Sequence, residues 1–280
     1  MSRLSAYRQQ AVQQLTGLYE AQEAASIVRI WLEERLGERP LSPVRELMAE
    51  EKRMLESDLQ KMMTGEPLQY VLGKTWFDRL TLAVDNRVLI PRPETEELVH
   101  WIVEEHPGFS GNILDIGTGS GAIALALKDR LPDALVFACD TSDEILDLAA
   151  ENSNNSKLQL VLLQADVLQS EAWNAFPSVQ VIVSNPPYIP LYELAEMHVN
   201  VGEHEPHQAL FVPDDDPLLF YRTILTEGCK KLLPGGFFYF EIHEQMEQQL
   251  ISLLTELGLL HFQFRKDMQE KVRMLRVHNV

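Results

Sequence analysis

The chemistry of this 280-residue chain gathers in two short stretches. The first is Asn185-Pro186-Pro187-Tyr188, which follows the apolar run 179–184. A run rich in Val and Ile that stops at a polar residue and two prolines reads as a buried strand, because proline fixes φ and removes a backbone donor. In an open α/β sheet, ligands sit beyond the carboxyl ends of the strands, so Asn185 and Tyr188 would stand on a stiff rim beside any cofactor. That position suits work on a planar nitrogen. An NH2 group needs acceptors for its two hydrogens, which Asn185 Oδ1 and the Pro186 carbonyl can supply, and the Tyr188 ring can stack on the same group. The plainer reading is a proline turn with the Asn as its cap.

The second stretch is Asp115-Ile116-Gly117-Thr118-Gly119-Ser120-Gly121. Glycines between a strand and a helix let the backbone pass close to a ligand, and the helix start presents free amides. Asp140 follows about 20 residues later, the spacing at which an acid accepts hydrogen bonds from ribose hydroxyls. Gly117, Gly119 and Ala122 also satisfy the dinucleotide pattern, so the loop and Asp140 specify a nucleoside cofactor and leave the reaction open. Asp166 can accept from an adenine amino group, with Val167 at the ring edge. Each acid could also be a strand-end cap.

The elements that must position these residues alternate along the chain. Strands are expected at 112–116, 134–139, 158–163, 179–184 and 237–242, with helices at 121–130, 142–152 and 217–233 between them. This is an α/β, doubly wound, Rossmann-like sheet, largely parallel. A helix at 244–257 then precedes an antiparallel pair, 261–265 with 272–278, and Pro234-Gly235-Gly236 reads as the turn into the fifth strand. Upstream, Ala24, Ile27, Val28, Trp31, Leu32 and Leu36 recur at helical spacing. A second helix is expected over 42–63, opened by Ser42 as N-cap and Pro43 at the first helical position, with Gly37 and Pro40 between the two. Gly65 to Tyr70 breaks the helices, a hairpin spans 76–90 with turns at Asp78-Arg79 and Asp85-Asn86, and a helix runs to about Glu105. The division is a small helical domain at 1–72, a hairpin linker at 73–93 and a catalytic domain at 94–280.

Composition narrows the partners. Asp and Glu number 42 against 24 Lys and Arg, a net charge of −18, which repels phosphate backbones and argues against direct nucleic-acid binding. Cys139 and Cys229 lie in apolar surroundings without metal-ligand spacing, as buried thiols in a reducing compartment do, and no metal is expected. No apolar run approaches the roughly 18 residues of a membrane span. A cytoplasmic monomer follows.

The tetrapeptide at Asn185 resembles the signature of methyltransferases that modify amide or exocyclic nitrogens, and an acid at Asp115 typifies methyltransferases too. Taken with Gly65-Glu66-Pro67-Leu68-Gln69-Tyr70, Ile90-Pro91-Arg92-Pro93-Glu94-Thr95-Glu96 and the segment Glu205-Pro206 with Ala209-Leu210, the chain is similar to the PrmC/HemK family of release-factor glutamine methyltransferases. The linker motif at Ile90 is the most specific of these. The resemblance implies methyl transfer from S-adenosyl-L-methionine, leaving S-adenosyl-L-homocysteine, to the amide nitrogen (N5) of the glutamine in the Gly-Gly-Gln motif of class I peptide chain release factors. It also implies an N-terminal helical domain that contacts the release factor. Residues and resemblance together assign Asn185, Pro186 and Tyr188 to catalysis, and Pro187 and Arg92 with them to the substrate site. They assign Asp115, Gly117, Thr118, Gly119, Ser120, Gly121, Asp140, Asp166, Val167 and Asn185 to the cofactor. The chain departs from the family at Ile242 after Glu241, at His204, and between Arg265 and Arg273. Two other readings compete: an adenine-N6 DNA methyltransferase, since a flipped adenine also offers a planar NH2, and a non-catalytic scaffold for a translation factor. The loop 189–213 is expected to be a mobile cover.

Overall fold

The structure, a computed structural model, describes residues 3–37, 42 and 44–279. In chain order it begins with helices α1 (Leu4–Leu15), α2 (Ala21–Leu36), α3 (Ala49–Met63) and α4 (Leu68–Leu72), followed by the hairpin β1 (Lys74–Phe77) and β2 (Leu80–Ala83). Next come α5 (Pro93–Glu105), β3 (Asn112–Ile116), α6 (Ala122–Arg130), β4 (Leu135–Asp140), α7 (Asp143–Ser156), β5 (Val161–Gln164) and β6 (Val179–Ser184). The chain ends with β7 (Ile189–Pro190), α8 (Val199–His204), α9 (His207–Leu210), β8 (Phe211–Val212), α10 (Leu219–Gly228), β9 (Leu232–Glu241), α11 (Glu247–Glu256), β10 (Phe262–Lys266) and β11 (Val272–His278). Two compact units emerge, one of residues 1–74 with 197–204, the other of 75–196 with 205–280.

In the first unit α1, α2 and α3 bury Leu4, Ala11, Leu15, Val28, Trp31, Leu32, Leu55 and Met62 in one core. Each fully buried Val, Leu or Met side chain contributes about 1.5–3 kcal/mol. The buried acid Asp58 accepts from Trp31 Nε1 at 2.9 Å and from Arg35 Nε at 2.7 Å, so its charge is not stranded. The expected helix over 42–63 starts later, at Ala49, because Glu51 turns back to accept from Met48 N at 2.9 Å and sets the N-terminus there. Pro40 and Pro43 lie outside the described residues. The break at Gly65 is shorter than expected, since Pro67 starts the single turn α4. Helix α8 belongs to this unit: His198 bonds to Leu18 O at 3.0 Å and stacks on Tyr19, and His204 bonds to Thr64 O at 3.0 Å.

The second unit is built on a sheet of seven strands among the described residues, in the order β10-β11-β9-β6-β3-β4-β5. The strands β9, β6, β3, β4 and β5 are parallel, and β11 runs antiparallel between β9 and β10. The doubly wound sheet with its closing antiparallel pair is therefore as expected. Both faces are covered, one by a cluster around Leu125, Val136 and Val181, the other by one around Trp173, Ile182, Tyr221 and Phe238. That explains why β6 reads as a nearly unbroken apolar run.

Several expected boundaries move, each for a local reason. Helix α7 runs on to Ser156, where Lys157 turns left-handed and Leu158 N closes the end on Ser153 O, so β5 begins only at Val161. Strand β2 stops at Ala83 because the Asn152 side chain takes both its backbone groups, at 2.6 and 3.0 Å, and the hairpin does not reach Ile90. Helix α10 ends at Gly228, after which the chain tightens into i to i−3 bonds, Lys230 N to Glu227 O at 3.1 Å and Lys231 N to Gly228 O at 2.8 Å. Pro234-Gly235-Gly236 is a bulge within β9: Leu232 pairs with Val179 and Phe237 with Val181. Helix α11 starts at Glu247, after a turn in which Gln245 N donates to His243 Nδ1 at 3.2 Å.

Candidate active site

Strands β3 and β6 are neighbours, but β4 and β5 extend the sheet on one side of them and β9, β11 and β10 on the other. At such a switch point the loops leaving the two strands diverge and open a crevice. The glycine loop leaves β3 and the Asn185 loop leaves β6 at this place. Between them is a cavity of about 300 Å³, walled by Arg92, Gly117, Thr118, Gly119, Ser120, Asp140, Asp166, Val167, Asn185, Pro186 and Pro187 among others.

The loop behind the first wall turns on three left-handed glycines, with φ of 72° at Gly117 and 54° at Gly119, both on the wall, and 81° at Gly121. A side chain at such angles costs about 1–2 kcal/mol. Gly117 N and Thr118 N donate to Cys139 O at 3.0 and 2.9 Å, and Gly119 N donates to Asp140 Oδ2 at 2.9 Å. Asp140 Oδ1 accepts from Thr141 N at 2.8 Å, so each carboxylate oxygen keeps a lone pair for a ligand. Burial pushes the Asp140 carboxyl up and these backbone donors pull it down. Asp166 is arranged alike, accepting from Leu168 N at 3.0 Å and Gln169 Nε2 at 3.2 Å. Gly121 is not part of the wall; it lets α6 start against Ala149, since a Cβ there would meet Leu125 Cδ1 at 3.3 Å.

Asp115 also lies off the wall, fully buried. Its Oδ2 accepts from Thr118 Oγ1 at 2.7 Å and Ala124 N at 3.2 Å, tying the loop to the first turn of α6. Its Oδ1 has no hydrogen-bond partner among the described residues. Burial pushes this carboxyl up to about 7, against the lowering by those two donors. A group protonated in the folded chain but ionised in the unfolded chain above about pH 4 stabilises at low pH and loses that contribution as pH rises toward 7. The ligand-free protein is therefore expected to lose stability across this window, and Asp115→Asn to flatten the slope in urea unfolding. Asp140 and Glu241, raised likewise, keep the flattening partial.

The second wall depends on residues distant in sequence. Asn185 Nδ2 donates to Thr95 Oγ1 at 3.4 Å, Thr95 Oγ1 donates to Glu241 Oε2 at 2.5 Å, and Tyr188 OH donates to Glu241 Oε1 at 3.1 Å. Glu241 is buried at the end of β9, and desolvation raises its carboxyl despite these donors. Tyr188 does not line the cavity, where a substrate-stacking ring would be; its hydroxyl is occupied by Glu241 and its ring packs edge-on to His243. Burial and the Glu241 charge push its phenol up. Thr95 and Glu241 escaped the sequence reading. Their only signal was a hydroxyl inside the Ile90–Glu96 motif and an acid ending an apolar strand.

Arg92 does reach the wall, but its guanidinium is engaged. Nη2 lies 2.5 Å from Glu205 Oε1, and Glu205 Oε2 accepts from Ile90 N at 3.2 Å. The Glu205 side chain is 1% exposed, so this pair ties the segment carrying Gln208 and Ala209, both on the cavity wall, to the proline-rich linker. No group of His, Cys, Asp and Glu that could hold a metal occurs among the described residues. No helix among them is long and apolar enough to cross a membrane.

Residues 6–73 match the model of the PrmC N-terminal domain and residues 94–201 that of the Methyltransferase small domain. The release factor glutamine methyltransferase of Flavobacterium psychrophilum is 39% identical over 280 residues, covering 97% of this chain and 98% of its own. The chain belongs to the release factor glutamine methyltransferase family. The Streptococcus pneumoniae member of that family is 44% identical over 230 residues, 81% of this chain and 76% of its own. A solved structure titled as the hMettl16 catalytic domain in complex with MAT2A 3′UTR hairpin 1 has a TM-score of 0.55 at 17% identity, covering 70% of this chain and 74% of its own. At that identity it shows the shared methyltransferase fold alone. The glutamine methyltransferase assignment thus rests on the full-length relatives.

Proposed function

We propose that this family member transfers a methyl group from S-adenosyl-L-methionine to the N5 amide nitrogen of the glutamine in the Gly-Gly-Gln motif of class I peptide chain release factors. The observation that carries the reading is Asn185 Oδ1, an acceptor that takes no hydrogen bond from any described residue, on a residue of the cavity wall. The donor set suits the cofactor: spare lone pairs on Asp140 for ribose hydroxyls, Asp166 and Val167 for adenine, and beside them Gly117 and Gly119, which carry no Cβ. The bound cofactor would supply an electrophilic methyl on a sulfonium. An amide nitrogen is a poor nucleophile, because its lone pair is shared with the carbonyl. Asn185 Oδ1 and the Pro186 carbonyl, gripping the two amide hydrogens, would aim that lone pair and strengthen as the nitrogen becomes cationic. No dedicated base is required, since the methylated nitrogen sheds an acidic proton to water. The helical part, 1–72, is proposed to dock the release factor, with 73–93 as linker and 94–280 as catalytic domain.

Purified protein with methyl-labelled cofactor should label an intact release factor and leave its Gly-Gly-Gln Gln→Ala variant unlabelled. Label on the variant, or on duplex DNA in place of the release factor, would sink the reading.

A further inference from the structure

We infer that Glu241 and Thr95 are positioning residues that fix which way the Asn185 amide faces, an extension that rests on the proposed role of Asn185. A primary amide has two faces of opposite sense, one accepting and one donating, and rotation by half a turn exchanges them with almost no change of shape. A donating face toward the cavity would repel the N–H groups of an amide substrate. Something must hold the side chain with Oδ1 inward.

The chain of protons does so. Glu241 is buried and its two oxygens face two hydroxyls, Tyr188 OH at 3.1 Å and Thr95 Oγ1 at 2.5 Å. Against desolvation by burial, the Arg273 charge nearby favours its ionised form; the carboxylate then only accepts, and both hydroxyls donate to it. Thr95 has one proton. Once that proton is given to Glu241, the face of Thr95 Oγ1 toward Asn185 carries lone pairs alone. The observed 3.4 Å contact is satisfied only by Asn185 Nδ2, and the opposite atom, Oδ1, is left to the cavity. The relay is largely shielded from solvent, with Thr95 4% and Glu241 2% exposed. Tyr221 OH donates to the Glu241 backbone carbonyl at 2.9 Å and holds the strand end that carries the acid. Buried networks of this kind restrict orientation when each member is satisfied.

Three variants of the full-length protein test this. Thr95→Val keeps the shape and removes the relay, Thr95→Ser keeps the hydroxyl, and Glu241→Gln keeps the shape but offers an NH2 that can donate to Thr95 and reverse the sense. Thr95→Val and Glu241→Gln are expected to lower kcat on the release factor about 100-fold, with cofactor Kd within about twofold of wild type, while Thr95→Ser restores most of the rate. The side-chain NH2 resonances of Asn185, assigned by their loss in Asn185→Ala, report the same thing without catalysis. One hydrogen should exchange slowly in wild type and Thr95→Ser, and both rapidly in Thr95→Val. Wild-type kcat in Thr95→Val, equal losses in Ser and Val, or an unchanged NH2 signal in Thr95→Val would each overturn the relay. If wild type fails to label the release factor, the proposed substrate falls, and the NH2 signals alone decide the inference.

Discussion

Asn185→Ala is expected to cut turnover by about two to three orders of magnitude and to leave cofactor affinity within about threefold of wild type, measured as single-turnover methylation and calorimetric Kd. The asymmetry follows from where the side chain acts. Its one described partner is Thr95, and Asp140, Asp166 and the glycine loop, which suit the nucleoside, stand on the other side of the crevice. Losing the amide would therefore remove an acceptor that strengthens only as charge develops on the substrate nitrogen, which lowers kcat more than it raises any binding constant. Asn185→Asp retains an acceptor but sets a carboxylate against the lone pairs of Thr95. Its turnover should recover only in part. A fully active Asn185→Ala enzyme would remove Asn185 from the chemistry.

Arg92→Ala should lower stability by about 3 kcal/mol, seen as a fall in urea midpoint, and weaken cofactor binding as well. Glu205 is buried, and once the guanidinium is gone its carboxylate keeps only the Ile90 N–H. Removing one partner of a buried pair costs about 3–5 kcal/mol, because the remaining charge is stranded; the lower figure applies because Arg92 itself is 33% exposed. The double variant Arg92→Ala with Glu205→Gln should regain much of the loss, as the stranded charge is then absent. Equal destabilisation in single and double variants would mean that Arg92 contributes by packing alone. Cofactor binding enters because the pair anchors the segment leading to Gln208 and Ala209 on the cavity wall.

What could be read in the chain beforehand was whatever is local. Strands β3 and β6 lie where their apolar runs put them, since a strand buried on both faces admits little but Val, Ile and Leu, and a following Gly or Pro marks its end. The glycine loop and Asn185-Pro186 were equally legible, because each is one turn whose residue types are dictated by its backbone. The Thr95–Glu241 contact spans 146 residues and the Arg92–Glu205 pair 113, and neither leaves a spacing in the sequence. Only the tertiary fold brings them together. Tyr188 shows the same limit, since an aromatic after two prolines suggests a stacking ring, and only the burial of Glu241 reveals where its hydroxyl goes. Similarly, β5 is shorter than the apolar run that begins at Leu158, because Leu158 serves the end of α7.

Helix α8 sets a condition on how this protein can be divided. It interrupts the sequence of the catalytic unit yet finds its hydrogen-bonding and stacking partners on Leu18, Tyr19 and Thr64. A fragment started at residue 75 would carry eight residues bereft of their support, in a stretch that begins nine residues after Tyr188. A fragment stopped at residue 74 would lack its final helix. The two halves are laced by their own backbone, so no single scission yields either one intact.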